Sequence, residues 1–225
     1  MLSTLPSYQH SSNTIVVNGI TYRASATSIK YHVHQSQVHN HPTGSLVDRG
    51  ANGGLSGADV KVIASSTTHF ADVEGIANVS LSNVPLSTVA GFINTEQGPI
   101  IGVFHQYAHT GQGHTIHSPL QLEAFGLNVD EKSSTMGNGT QTISHPDGYT
   151  IPLVFTGGLA YMPMRPPTDN EWKDADIPHV VMTSDVTWDP SMYDCDPSTM
   201  DHSTSTQLLN AEPRSDLWDR SAHVT

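Results

Sequence analysis

The chain has 225 residues, enough for one core of about 100 to 150 residues plus extensions. Its 21 acidic residues against 9 basic ones leave a net charge of −12, which excludes nucleic acid as a direct ligand, because a phosphate backbone needs Lys and Arg to displace its counterions. Only 36% of the residues are apolar, and 18 Gly and 14 Pro are spread throughout, a composition of many short strands rather than long helices. The lone Cys195 has no partner for an intrachain disulfide, and no CxxC or Cys/His finger accompanies it. An intracellular, reducing compartment fits this, and a zinc knuckle is excluded. No run approaches the ~18 apolar residues that cross a bilayer. Met1 to His10 lacks a basic region followed by an apolar one, so the expectation is a soluble, cytoplasmic chain with no membrane partner.

Residues 1–12 are rich in Ser and Pro and read as disordered. Thr14 to Tyr22 then places Asn18-Gly19 between two β-prone runs, a strong hairpin signal. Residues 32–44 carry His32, His34, His39 and His41 among Gln, Asn and Pro without an apolar period, and read as a linker or an exposed arm. From Leu46 to Gly113 short apolar runs alternate with Gly, Asn and Pro, the pattern of a small closed or folded-over β domain. Val60–Ile63, Asn78–Leu81, Val84–Leu86 and Ile100–Phe104 are its expected strands. Gly75 and Gly91 read as turn glycines or as parts of a flap over a cleft.

One helix is expected after Ser118: Ser at the N-cap, Pro119 in the first position, Gln121 completing a capping box, and Gly126 stopping it after Phe125. Leu120, Leu122 and Phe125 would face the core. Turns follow at Met136–Gly139 and Pro146–Gly148, and a last hairpin at Tyr149–Phe155 and Leu159–Met164. Beyond Arg165 the chain turns acidic and Pro-rich, carries Trp172, Trp188 and Trp218 without periodicity, and is expected to be a partly ordered extension that thins out by about Asp196. The division is therefore 1–44 hairpin and His-rich linker, 45–164 β domain, 165–225 tail.

The most informative stretch is Ser45-Leu46-Val47-Asp48-Arg49-Gly50-Ala51-Asn52-Gly53-Gly54, where an apolar strand runs into Asp and then into small residues. Gly50 and Ala51 let the backbone pack closely beside an acid, the layout needed by a carboxylate that faces a second carboxylate across a narrow gap. Read without context, the same residues make a surface loop whose Asp and Asn cap turns.

Asp48-Arg49-Gly50-Ala51 resembles the Asp-Ser/Thr-Gly-Ala of the retropepsin-like segment in copia-type retrotransposon polyproteins, and Gly44 to Gly54 as a whole is similar to a subgroup that carries Arg at the second place. The downstream order extends the resemblance to about residues 44–164, through Val73-Glu74-Gly75-Ile76, Gly98 to Phe104, Thr115 to Glu123, and Gly157 to Met162. It implies a mainly β, closed retropepsin-like domain with one short helix. The implied activity is that of an aspartic peptidase without a cofactor, which cuts polyprotein peptides as a homodimer whose two Asp48 side chains share a water. Asp48, Arg49, Gly50 and Ala51 would form each half of the site. Because the motif occurs once, the second carboxylate must come from a second chain.

Arg49 departs from the motif. The family's Ser or Thr hydroxyl both donates and accepts, whereas a guanidinium has no acceptor, and its fixed charge beside Asp48 would oppose a proton shared between two acids. Whether it faces Asp48 or turns outward to an acid is open at this level. The rival reading is a degenerate, non-catalytic β domain used in assembly or linkage. A third is a metal-binding β protein built on His105, His109, His114 and His117; Gly111 and Gly113 break any helix that would carry them together, which favours a plain loop and no metal.

Overall fold

The computed structural model describes residues 14–17, 20–23, 29–33, 44–75 and 80–194. The Ser/Pro-rich start, His34, His39, His41, the expected strand residues Asn78 and Val79, and the tail from Cys195 through Trp218 lie outside the described residues. In chain order the strands are β1 (Thr14–Val17), β2 (Ile20–Arg23), β3 (Ile29–Val33), β4 (Ser45–Val47), β5 (Leu55–Ser56), β6 (Lys61–Gly75), β7 (Ser80–Thr95), β8 (Gly98–His109) and β9 (Ile116–His117). After helix α1 (Pro119–Ala124) come β10 (Asn128–Asp130), α2 (Ser134–Gly137), β11 (Thr142–Ser144), β12 (Thr150–Pro152), β13 (Val154–Thr156), β14 (Leu159–Met162) and β15 (Met164–Arg165). Helix α3 (Asp169–Lys173), β16 (His179–Val181) and a 3-10 turn (Pro190–Tyr193) complete a mainly β architecture.

The principal sheet runs in the order β13-β14-β4-β9-β5-β8-β7-β6-β3, with β15 added on β7 and β16 on β8. Its centre is unusual in one respect: β4 and β5 are consecutive in the chain, yet β9 lies between them, parallel to β4 and bridged to β5. A second sheet, β10-β11-β12, is an antiparallel meander. The hairpin expected at Asn18-Gly19 is present, with Val17 opposite Ile20. So is the one at Gly157-Gly158, where both glycines take positive φ (61° and 83°) and Thr156 faces Leu159, the twist that a two-residue hairpin loop demands.

The short strands read from the sequence at 60–63, 84–86 and 100–104 are pieces of the much longer β6, β7 and β8. Residues that would end a strand are absorbed instead: the β6–β7 register shifts between Ser65 and Phe70, and again between Ala71 and Val73, so extra residues bulge out while pairing resumes. Gly91 is neither a turn nor a flap residue. It sits inside β7 opposite Gly102 of β8, and Met164 of β15 lies where its Cβ would be. His105 and His109, read as loop residues, belong to β8, and His32 belongs to β3 rather than a linker.

Adjacent residues on a strand point to opposite faces, and here each face carries its own core. Val47, Phe104, Tyr107, Leu122, Ile143 and Met162 bury on one side. Their strand neighbours Leu46 and Ala108, with Ala51, Leu86, Ile116, Tyr161 and Trp188, bury on the other. Helix α1 closes the first face through Leu122, which is fully buried, and Phe125, as expected. Ser118 Oγ accepts the Gln121 N–H at 3.3 Å, Pro119 occupies the first turn and Gly126 (φ 93°) follows the cap. The capping box is only half made, because the Gln121 side chain is used elsewhere.

The segment from Arg165 to Asp194 is woven into this body. Arg165 pairs with Glu171 at 2.5 Å and Lys61 with Asp169 at 2.6 Å, the Trp172 ring packs on His179 at 4.5 Å, and β16 extends β8 in parallel. No helix among the described residues is long and apolar enough to cross a membrane.

Candidate functional site

Asp48 ends β4 at the point where the chain leaves β9 to turn back toward β5. Its N–H donates to the His117 carbonyl at 3.0 Å, so the last rung of the β4–β9 ladder fixes its backbone. Its Oδ1 accepts the Gly50 N–H at 2.8 Å, and its carbonyl accepts the Ala51 N–H at 3.0 Å, which together close a tight Asx turn. Oδ2 is buried and accepts no hydrogen bond from the described residues.

The rest of the loop is held from several directions. Ser118 Oγ donates to the Ala51 carbonyl at 2.8 Å, and Ala51 is buried, 2% exposed. Gln121 Oε1 accepts the Gly54 N–H at 2.8 Å, while its Nε2 reaches the His105 and Gln106 carbonyls at 3.4 Å. Gly54 lies flat on the Tyr107 ring, where a Cβ would collide with it. Asp59 ties the two flanking strands together: one oxygen accepts from Thr115 N (2.8 Å) and Thr115 Oγ1 (2.6 Å), the other from Ser45 Oγ at 3.0 Å.

Arg49 turns away from Asp48. Its guanidinium forks onto Glu123 at the end of α1 (2.8 and 3.1 Å) and onto Glu131 beyond β10, and also donates to the Val129 carbonyl at 2.9 Å. The hydrogen bond to Glu123, followed by that to Glu131, raises its pKa above the ordinary arginine range. The charge next to Asp48 is thus spoken for by two carboxylates, and what the position lacks is a hydroxyl.

The four clustered histidines go to four partners. His105 Nδ1 meets Thr88 Oγ1 at 2.9 Å, His109 Nδ1 meets Ser56 Oγ at 3.0 Å, His117 Nδ1 meets the Tyr107 hydroxyl at 2.9 Å, and His114 lies 3.9 Å from Asp59. Among the described residues no group of three potential ligands converges. Burial lowers the pKa of His105, and lowers that of the fully enclosed His117 to about 4, with the charge of Asp59 opposing.

A cleft of about 240 Å³ opens beside the β6 bulge, lined by Ser65, Ser66, His69, Ser87 and Gln106. Another of about 410 Å³ lies between Phe92, Asn94, Pro163, Met164 and Arg165. Asp48 lines neither. Ser118, Gln121, Asp59 and Trp188 all act on the loop and none was singled out for it by sequence. Ser118 and Gln121 stood out only as helix-cap residues, and Trp188 only as an aperiodic tryptophan of the tail. No family model, no curated protein sequence and no solved structure matches the chain.

Proposed function

We propose that the chain is the retropepsin-like aspartic peptidase segment of a copia-type retrotransposon polyprotein, acting in the cytoplasm as a homodimer on polyprotein peptides. The observation that carries this reading is Asp48 itself: a carboxylate in an Asx turn between β4 and β5, with β9 threaded between those strands and one buried oxygen that no described residue bonds. A second copy related by a two-fold axis would bring the same residue opposite it. Two carboxyl groups at contact distance hold one proton between them. The ionised one takes a proton from water, whose oxygen adds to the peptide carbonyl carbon, while the protonated one gives its proton to the carbonyl oxygen. Collapse of the tetrahedral adduct, with a proton passed to the amide nitrogen, breaks the C–N bond.

The degenerate, non-catalytic reading is favoured by one observation, the engagement of Arg49 by Glu123 and Glu131 of its own chain. That position then offers nothing that donates and accepts across a two-fold axis. One assay separates the two. Cleavage of a polyprotein peptide should fall in specific rate on dilution below the dimer dissociation constant, and should vanish in Asp48→Asn. A rate that is independent of concentration, or one that survives Asp48→Asn, rules out the paired-carboxylate reading. A folded dimer that never cleaves supports the degenerate one.

A further inference from the structure

The stretch that follows β16 runs as a strap from the sheet to the Asp48 loop. Met182 N–H donates to the Val103 carbonyl at 2.8 Å, and Thr183 Oγ1 both accepts from His105 N (2.7 Å) and donates to His105 O (2.9 Å). Gln106 Nε2 then donates to the Asp185 carbonyl at 3.0 Å. The strap ends in Trp188, whose indole N–H donates to the Asn52 carbonyl at 2.8 Å, a contact 136 residues distant in sequence. The ring is 8% exposed, packs in the cluster that holds Leu46, Ala51 and Tyr161, and stacks on Tyr193 at 5.2 Å. Asp189 fixes the far side by accepting from Ser191 N (3.0 Å) and Ser191 Oγ (2.7 Å) at the start of the 3-10 turn. A tryptophan buried this deeply, with its donor satisfied by a carbonyl of the Asp48 turn, is a clamp.

The geometry points to Trp188 as a positioning residue for Asp48: the strap holds the Asn52 side of the loop down, so that the carboxylate stays aimed at the two-fold axis. The functional unit then extends to the 3-10 turn rather than ending with the hairpin at Met164. This inference rests on the aspartic peptidase reading for its catalytic consequence, but the clamp itself is measurable without cleavage. An aspartic pair tolerates little angular error, because positioning of the reacting groups contributes a large part of the rate.

The test uses the full chain with Trp188→Phe, which keeps an aromatic ring and removes the donor. If that variant folds poorly, benzothienylalanine at position 188, which replaces the indole N–H by sulfur at nearly constant volume, takes its place. Val186→Ala, at an exposed strap position, serves as the control. Expected for the variant are amide exchange at Gly50 and Ala51 about tenfold faster, unchanged exchange at Leu122, kcat lowered about tenfold and KM within about twofold. Unchanged exchange at Gly50 and Ala51 overturns the clamp whether or not the parent cleaves. Faster exchange with parental kcat overturns the positioning role and leaves the peptidase reading intact. A parent that does not cleave, together with faster exchange in the variant, sinks the peptidase reading alone and supports the clamp.

Discussion

His117 should set an acid limit on stability. It is fully buried, 4.9 Å from the Phe104 ring between centroids, with Nδ1 on the Tyr107 hydroxyl and Nε2 without a partner among the described residues. Burial brings its pKa from 6.5 down to about 4. Above pH 6.5 the ring is neutral in both folded and unfolded chains and contributes no pH dependence. As pH falls from 6.5 toward 4 the unfolded chain takes up a proton that the folded one refuses, so stability is lost by about 1.4 kcal/mol per pH unit, roughly 3 kcal/mol in all; below about 4 both states are protonated and the loss levels off. That is a large share of the ~5–15 kcal/mol that holds a typical domain folded. His117→Leu removes this titration and, at neutral pH, costs about 1 kcal/mol through the lost hydrogen bond to Tyr107. Urea unfolding of both proteins at pH 7, 5.5 and 4 isolates the effect, since every other titration is common to the two. The difference in unfolding free energy should shift toward the Leu variant by about 3 kcal/mol between the extremes. A difference that stays flat from pH 7 to pH 4 would refute the reasoning.

Replacing Arg49 by Thr puts a hydroxyl where the resembling enzymes have one and should raise peptide cleavage at pH 4 to 7 (about the range of a shared-proton pair), while losing about 1 kcal/mol of stability from the half-exposed ion pairs with Glu123 and Glu131. A folded, dimeric Thr variant that stays inert would place the block elsewhere. Gly57→Ala should lower the urea midpoint by the equivalent of about 2 kcal/mol or more, because the new Cβ meets the Gly113 carbonyl, backbone that cannot swing aside; a midpoint equal to the parent's would show that the β5–β9 junction yields. Asp59→Ala removes the acceptor of Thr115 and Ser45 together and should cost about 3 kcal/mol by denaturant titration. Under 1 kcal/mol of loss would mean that β4 and β9 do not depend on it.

The parts of the fold that can be read from the sequence are those whose causes lie within a few residues. Helix α1 announces itself through Ser118, Pro119 and Gly126, its N-cap, its first residue and the residue just past its C-cap. The two-residue hairpins announce themselves through Asn18-Gly19 and Gly157-Gly158. The long β6, β7 and β8 do not, because their glycines and irregularities answer to distant partners. Gly91 is glycine on account of Met164, 73 residues later, and the β6 bulge has no meaning until β7 is laid beside it. A local reader takes each of these as an end and cuts one strand into several.

The site divides along the same line. An apolar strand, an Asp and a run of small residues suffice to read the turn, since Gly50 N–H and Ala51 N–H close it from within four residues. The direction of Arg49 is decided by Glu123 and Glu131, 74 and 82 residues away, and the clamp on Asn52 by a tryptophan 136 residues away. These distant contacts also bear on chemistry. With Arg49 drawn onto two carboxylates, its charge is balanced where it sits, and the argument against a shared proton moves from an unwanted cation to an absent hydroxyl. The loop is held by Ser118, Gln121, Trp188 and the β9 backbone, contacts that do not involve the side chain at position 49. Under the proposed peptidase reading, the exchange of Arg49 for Thr therefore asks one question: whether the missing hydroxyl is what separates a working peptidase from a retained scaffold.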